Sequence, residues 1–413
     1  MKLKAVLFGA TALGLLMATG AVYAGDDNQT TVWQHGGSNN SALVLQNTGS
    51  HNSAGTTDFN TSGFLVESNG SNNTITINQQ YDANSIGKEN TIYKENESDP
   101  AGYGYGGIDI ARVAPYTTGQ HGLSGNPNGI LGSGWDDYVG VHQNGNNNNL
   151  NVTQVGALGY NDTAGNDIVG VMQNGYAGAT DTTNDLTITQ TNYGARAFNW
   201  VGVVTQTNVS GYQGSWDNSA TISQYGGGYN AGNRVFVALQ SGYDNKLSLT
   251  QTGTNNIVTT SEQDGDGNGG GTGAHNAITI TQSGSQNWIH NVAESGNNNT
   301  AIISQTGTNN EVDNLTMLGN NNGLGQGYFT GDAALVASDD MLGKATQSGT
   351  DNYINDPMIG DFNEFAFSQS GSSNSIDGYV VGSYNQVAVV QNGAGNSAKF
   401  GQEGGNNNIG IQQ

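Results

Sequence analysis

The chain contains no cysteine in 413 residues. That absence excludes disulfides, thiol nucleophiles and thiolate metal centres. Basic residues are scarce: ten lysines and arginines stand against 33 aspartates and glutamates, for a formal net charge of −23. A nucleic-acid binder needs a basic footprint to displace counterions, so nucleic acid is not an expected partner. The same balance argues against adhesion to an anionic membrane surface. Only 10% of residues are charged, which separates this chain from disordered sequences of high charge density. Apolar types make up 34%, too few for the two or three ordinary cores that the length would suggest. Prolines number four, and Pro100, Pro115 and Pro127 all fall within 95–135. Proline cannot donate to a strand ladder, so that stretch is expected outside any continuous sheet.

The longest apolar run is Ala5–Met17, preceded by Lys2 and Lys4 and followed by Ala21-Val22-Tyr23-Ala24. A short apolar run between a positive start and an A-x-A-like site reads as a signal peptide, residues 1–24, cleaved after Ala24. The run is short for a membrane span, so export without membrane insertion is expected. Cleavage would remove two lysines and no acids, leaving −25 from −23. Self-repulsion of that size keeps a monomer soluble during export.

What the chain has in abundance is glycine, 65 residues, and a repeat. Asparagine recurs every 11 residues at Asn363, Asn374, Asn385, Asn396 and Asn407, and in a second phase at Asn276, Asn287, Asn298, Asn309 and Asn320. Between these positions runs N-x-Φ-x-Φ-x-Q-x-G-x-x-N, with Φ apolar. Full copies carry Gln251, Gly253 and Asn256; Gln282, Gly284 and Asn287; Gln305, Gly307 and Asn310; Gln369, Gly371 and Asn374; and Gln391, Gly393 and Asn396, and Gln347, Gly349 and Asn352 belong to a partial copy. Gln143, Gln154, Gln173, Gln190, Gln224, Gln402 and Asn407 mark weaker ones. Fainter copies begin near 42–52 and 75–84.

Each unit reads as a strand and a turn. The alternation Φ-x-Φ-x-Q puts both apolar residues and the glutamine on one face. Glycine and asparagine after it tolerate positive φ, so the chain reverses there. Apolar residues never recur at helical spacing for any length. One unit cannot bury its face alone, whereas two back to back close a 22-residue coil that stacks on the next. The expected fold is therefore all-β: a β-solenoid of about a dozen such coils giving two stacked parallel sheets, with irregular loop insertions. Inward amides are expected to form ladders, because the same amide above and below supplies both donor and acceptor. The expected organisation is a signal peptide at 1–24, an export or linker segment at 25–40 and degenerate repeats at 41–94. A Gly/Pro/Tyr-rich insertion at 95–135 and a repeat solenoid over 136–413 follow. Smaller insertions at 157–166, 176–184, 265–275 and 323–343 are expected to bulge from coil corners.

The spacing Q-x-G-x-x-N, repeated behind a signal peptide, resembles the curlin repeat of curli fibre subunits. The resemblance covers most of 139–413 and, faintly, 32–94. It implies a subunit exported through an outer-membrane pore, nucleated at the cell surface by a second subunit, and polymerised with itself into extracellular amyloid that supports biofilm and adhesion. It also implies that Gly25–Asn40 directs export. The chain is much longer than a typical subunit of the family and carries long insertions, so a major subunit, a minor one and a discrete solenoid all stay open.

Other chemistry is thinly signalled. The six histidines, at 35, 51, 121, 142, 275 and 290, show no pair at metal-ligand spacing. Asp264-x-Asp266-x-Asn268-Gly269 opens like a calcium loop, but its twelfth position is His275, where a bidentate glutamate is needed. Asp136-Asp137 and Asp339-Asp340 are neighbours, which on a strand point to opposite faces. Gly102–Gly107 resembles a phosphate loop without its helix, and no nucleophile elbow occurs. No enzyme, cofactor or metal is read from the sequence. The alternative reading is a secreted solenoid adhesin that does not polymerise, or an ice-binding protein using outward pairs such as Thr187-x-Thr189 and Thr279-x-Thr281. The repeat continuing through Ile409, Ile411 and Gln413, with no visible cap, favours head-to-tail growth. Asp264 and Asp266 are expected at exposed tips as aggregation gatekeepers.

Overall fold

The computed structural model describes residues 29–30, 32–35, 39–47, 53–54, 65–69, 71–81, 84–86, 140–144, 147–156, 165–174, 182–193, 198–207, 216–226, 232–242, 244–264 and 275–413. The expected signal peptide with its cleavage after Ala24, the insertion 95–135, Asp136-Asp137 and Asp266 lie outside the described residues. The chain forms two compact units, Met1–Gln206 with Gly226–Gly232, and Thr207–Tyr225 with Asn233–Gln413.

In the first unit, Ser41–Asn47, Thr74–Gln80, Asn148–Val155 and Thr182–Asn192 pair in that order as a parallel sheet. A second sheet joins Val32–His35, Leu65–Asn69, Gly140–Asn144 and Gly165–Asn174, again in parallel. Gln29–Thr30 and Val32–His35 are thus strands within the segment expected to be a linker. Ile75, Ile77, Leu150, Val152, Leu186 and Ile188 fill the interior from one sheet, and Val141, Ile168 and Val171 from the other.

In the second unit, successive strands alternate between two sheets. One sheet runs Trp216–Gly226, Lys246–Thr254, Ala277–Ser285, Thr300–Thr308, Lys344–Thr350, Glu364–Ser372, Gln386–Ala394 and Asn408–Gln412. We call it the Q sheet. The other begins Arg234–Ser241, Ile257–Asp264, Trp288–Ser295, Glu311–Leu318. It continues through Tyr353–Asn355 and Met358–Ile359 to Ser375–Val381 and Ser397–Glu403. The fold is an all-β parallel solenoid, as the repeat predicts. Ladder glutamines recur every 22 residues over Gln347, Gln369, Gln391 and Gln413.

Strand Ala277–Ser285 shows how the sequence makes a coil. β-Branched Ile278, Thr279, Ile280 and Thr281 favour the pleated chain. Ile278, Ile280 and Gln282 are buried, while Thr281 is exposed. Each buried isoleucine contributes roughly 1.5–3 kcal/mol. The turn that follows is G-x-x-N: Gly284 at φ +110°, Gln286 at φ 58°, then the buried Asn287. The residue before the buried asparagine takes the left-handed conformation whatever its type; Asp351, Phe362, Ser373 and Tyr384 all do so.

The second sheet departs from the predicted spacing. Its inward residues there are Val258, Ser261 and Gln263; Ile289, Val292 and Glu294; Val312, Leu315 and Met317. The pattern is Φ-x-x-Φ-x-Q, one residue longer than in the Q sheet, with two consecutive buried residues at the bulge. That extra residue makes the step from Gln282 to Gln305 one of 23 residues. It disappears where Val312 pairs Ile354 and Asn314 pairs Asn355. The same extra residue carries the buried asparagines off the 11-residue step: Asn298 and Asn309 sit at φ 56° and 58° in turns, and their successors Asn299 and Asn310 are the buried ones.

The insertion 323–343 is more than a bulge. It holds a short helix, Gly331–Val336, and lays Phe329, Ala333, Ala337 and Leu342 onto the outward residues Ala366 and Ala388 of the Q sheet. Ala366, Ala388 and Gly410 stand in register as a smooth stripe, and a Cβ on Gly410 would overlap the Asp332 carbonyl oxygen. Glu364 accepts the backbone N–H groups of Gln326 and Gly327 at 2.5 and 2.9 Å. Asp264 is also placed differently from the expectation: it ends strand Ile257–Asp264 and is only 5% exposed, not a tip residue.

Candidate functional site: the amide ladders

The inward amides form continuous hydrogen-bonded columns. Along the Q sheet each glutamine Nε2 donates to the Oε1 of the next: Gln224 to Gln251, Gln251 to Gln282, Gln282 to Gln305 and Gln305 to Gln347, all at 2.8 Å. The column goes on from Gln347 to Gln369 and Gln369 to Gln391 at 3.0 Å, and from Gln391 to Gln413 at 2.7 Å. The same amides also reach across the interior. Gln282 Nε2 lies 3.0 Å from the Ile257 carbonyl and 3.1 Å from that of Asn287. In the first unit, Gln46 donates to Gln79, Gln79 to Gln154 and Gln154 to Gln190; on the facing sheet Gln143 donates to Gln173 and Gln173 to Gln206.

Asparagines run the opposite way. The side-chain Nδ2 of Asn256, Asn287, Asn310, Asn352 and Asn374 each donates to the Oδ1 of the preceding coil's asparagine, at 2.9–3.0 Å. The backbone N–H of Asn396 makes the corresponding bond to Asn374 Oδ1 at 3.1 Å. The asparagine Nδ2 also reaches forward to the next coil's glycine carbonyl: Asn256 to Gly284, Asn287 to Gly307, Asn310 to Gly349, Asn352 to Gly371, Asn374 to Gly393. Glycine and asparagine columns are therefore one device. The glycines repeat φ values of +107° to +116° at Gly253, Gly284, Gly307, Gly349, Gly371 and Gly393. At all but Gly393 an added Cβ would overlap the carbonyl oxygen of the next glycine.

The other corner carries a second asparagine column, Asn276, Asn299, Asn322, Asn363, Asn385 and Asn407, joined by N–H to Oδ1 bonds of 3.0–3.1 Å; the 11-residue step picks out four of its members and misses Asn299 and Asn322. The signal was present as G-x-x-N at Gly296, Gly319, Gly360, Gly382 and Gly404. On that sheet the glutamine column is short. Gln240 donates to Gln263 at 2.9 Å and Gln263 to Glu294 at 3.3 Å. The positions then read Glu294, Met317, Met358, Val380, Gln402. Gln402, above a valine, donates instead to the Gln386 carbonyl at 2.9 Å.

The break is electrostatically costly. Glu294 is fully buried, and burial pushes its carboxyl well above the ordinary range, opposed by the Gln263 amide. Asp356, inward where the bulge vanishes, is likewise pushed well above it by burial, and neither carboxyl oxygen has a hydrogen-bond partner. Glu262 is raised to about 7 by burial and then by Asp264.

Replacing Gln282 by alanine removes a donor and an acceptor from a closed column and leaves Gln251 and Gln305 buried without their mates. The expected loss is about 1–3 kcal/mol per orphaned amide. Thr281→Ala, on the exposed face of the same strand, should stay within about 0.5 kcal/mol. Chemical denaturation of the two variants compares them directly; equal losses would count against the ladder as a source of stability.

Residues 273–307 match the model of the Curlin associated repeat family. This chain carries the curlin repeat. The matched stretch holds strands Ala277–Ser285 and Trp288–Ser295 with Gln282, Gly284, Asn287, Gln305 and Gly307. In structural terms the curlin repeat is thus one glutamine column, one asparagine column and the glycine that lets them approach. No curated protein matches the chain. Among the described residues no helix is long and apolar enough to cross a membrane.

Proposed function

We propose that this protein is a structural subunit of extracellular, curli-like amyloid fibres, exported to the cell surface and polymerising head to tail for biofilm matrix and adhesion. The family match supports the class. The observation that carries polymerisation is the polarity of the ladders. In the second unit the column glutamines from Gln224 to Gln391 each donate toward the following coil, and Asn233, Asn256, Asn287, Asn310, Asn352 and Asn374 each accept from it. Among the described residues, strand Asn408–Gln412 pairs with a neighbour on one side, Gln386–Ala394. Asn396 and Asn407 accept from no N–H among the described residues, and Ile409 and Ile411 are half-buried. A second copy presenting a coil of the same register satisfies these groups with the bonds already made inside each unit. An export pore and a nucleating subunit are the partners this reading requires.

Gly393 and Gly404 separate folding from growth. Within the chain a Cβ on either meets nothing nearer than an asparagine Nδ2 at 3.9 Å. Stacked under a further coil, it would overlap a carbonyl, as it would at Gly371 or Gly382. The double variant Gly393→Ala/Gly404→Ala is expected to fold, with only backbone strain of about 1–3 kcal/mol at each site. It should extend thioflavin-positive fibres much more slowly than the unaltered protein. Elongation at the unaltered rate by a correctly folded variant would reject growth through this face.

A further inference from the structure

We propose that the outer face of the second unit's bulged sheet holds a divalent transition-metal ion through His290, Glu311 and Asp313. The three donor atoms lie within 4.8 Å of one another. His290 belongs to strand Trp288–Ser295, and Glu311 and Asp313 are alternate residues of the neighbouring strand Glu311–Leu318, hence on one face. The imidazole Nε2 already lies 2.9 Å from Glu311 Oε1.

Neighbours hold these groups in place. Trp288 stacks on the His290 ring with centroids 4.1 Å apart and planes 19° apart. The indole is itself anchored by a 3.0 Å bond from its Nε1 to Thr259 Oγ1, one coil earlier. One coil later, the Tyr353 hydroxyl donates to Asp313 Oδ2 at 3.1 Å. Ligands oriented by an outer layer of stacking and hydrogen bonding are the usual construction of a metal centre.

One imidazole nitrogen and two carboxylate oxygens suit zinc or a similar first-row ion, with water completing the coordination on this open face. Calcium and magnesium prefer all-oxygen shells. Spacing rules applied to the sequence find no such site, because the ligands come from successive coils rather than from one strand. The ion would tie two adjacent coils together from outside, independently of the ladders.

The test is a calorimetric titration of the full chain with Zn²⁺, paralleled by Co²⁺ with visible absorption as the readout. One equivalent is expected to bind. His290→Gln and Asp313→Asn should each weaken binding by roughly tenfold or more, and Tyr353→Phe by less. His275→Gln, altering the exposed His275–Asp244 pair at 3.5 Å, should leave binding unchanged. Circular dichroism checks that each variant keeps its sheet content. Undiminished binding by folded His290→Gln, or displacement of Zn²⁺ by equimolar Ca²⁺, would overturn the proposal.

Discussion

Alanine at Gly284 is expected to prevent the second unit from stacking at all. Two costs add. The backbone there sits at φ +110°, a region that L side chains rarely adopt, at about 1–3 kcal/mol. The larger cost is steric: the new Cβ would occupy the space of the Gly307 carbonyl oxygen and crowd its carbon and nitrogen. That oxygen accepts from Asn287 Nδ2, and the Gly284 carbonyl accepts from Asn256. Strands in a parallel sheet are fixed about 4.8 Å apart by their hydrogen bonds, so the coils cannot separate locally to make room. The ladder must open on both sides, leaving Gln251, Gln282 and Gln305 without partners and adding about 1–3 kcal/mol for each buried amide. Such a sum is of the same order as the whole stability of a domain. Gly395→Ala is the control, since a Cβ there meets nothing within 4 Å. Loss of β-sheet circular dichroism in Gly284→Ala, with Gly395→Ala close to the unaltered protein, is the expected result. Equal behaviour of the two would show that the glycine column is not what sets coil spacing.

The second large effect concerns the buried acids. Glu294 and Asp356 have carboxyls raised well above their ordinary values by burial, and Glu262 is raised to about 7. The unfolded chain titrates them near about pH 4. A group whose folded value is raised contributes stability that is fully present below the unfolded value and is lost as pH rises through the folded one. The second unit should therefore be more stable at pH 5 than at pH 8. A tenfold difference in proton affinity between the folded and unfolded chain is equivalent to about 1.4 kcal/mol. Glu294→Gln replaces the acid by the amide that Gln240 and Gln263 already carry in that column, so it removes a titrating group and extends the ladder by one step. Together with Asp356→Asn it should raise the denaturation midpoint at pH 8 and change it little at pH 5. An unchanged difference between the two pH values in the double variant would sink the assignment.

Much of this was legible in the sequence because the period of a strand is two and the period of a coil is twice that of its repeat. Ile278, Ile280 and Gln282 had to share a face, and G-x-x-N had to turn. From these came the parallel solenoid, the inward glutamines and the Q-sheet columns down to Gln391. The bulged sheet was harder to read. Its Φ-x-x-Φ-x-Q spacing hides one residue, and the ladder position is held by Glu294, Met317 and Val380 where a fixed motif expects glutamine. Asn298 and Asn309 fit the 11-residue step, yet they are turn residues whose neighbours do the bonding.

What the sequence by itself determined is local and periodic: which residues alternate, where the chain reverses, and which side-chain types recur at one height in each coil. What only the tertiary structure decided is directional and non-local. Nothing in a motif says that glutamines donate forward while asparagines donate backward, because both amides carry the same donors and acceptors until neighbouring coils fix their rotamers. The same holds for the helix of 323–343 lying on Ala366 and Ala388, and for His290 meeting Glu311 and Asp313. Residues a full coil apart in the chain become neighbours only when parallel strands stack, and it is the length of each intervening turn, bulge and insertion that sets which ones meet.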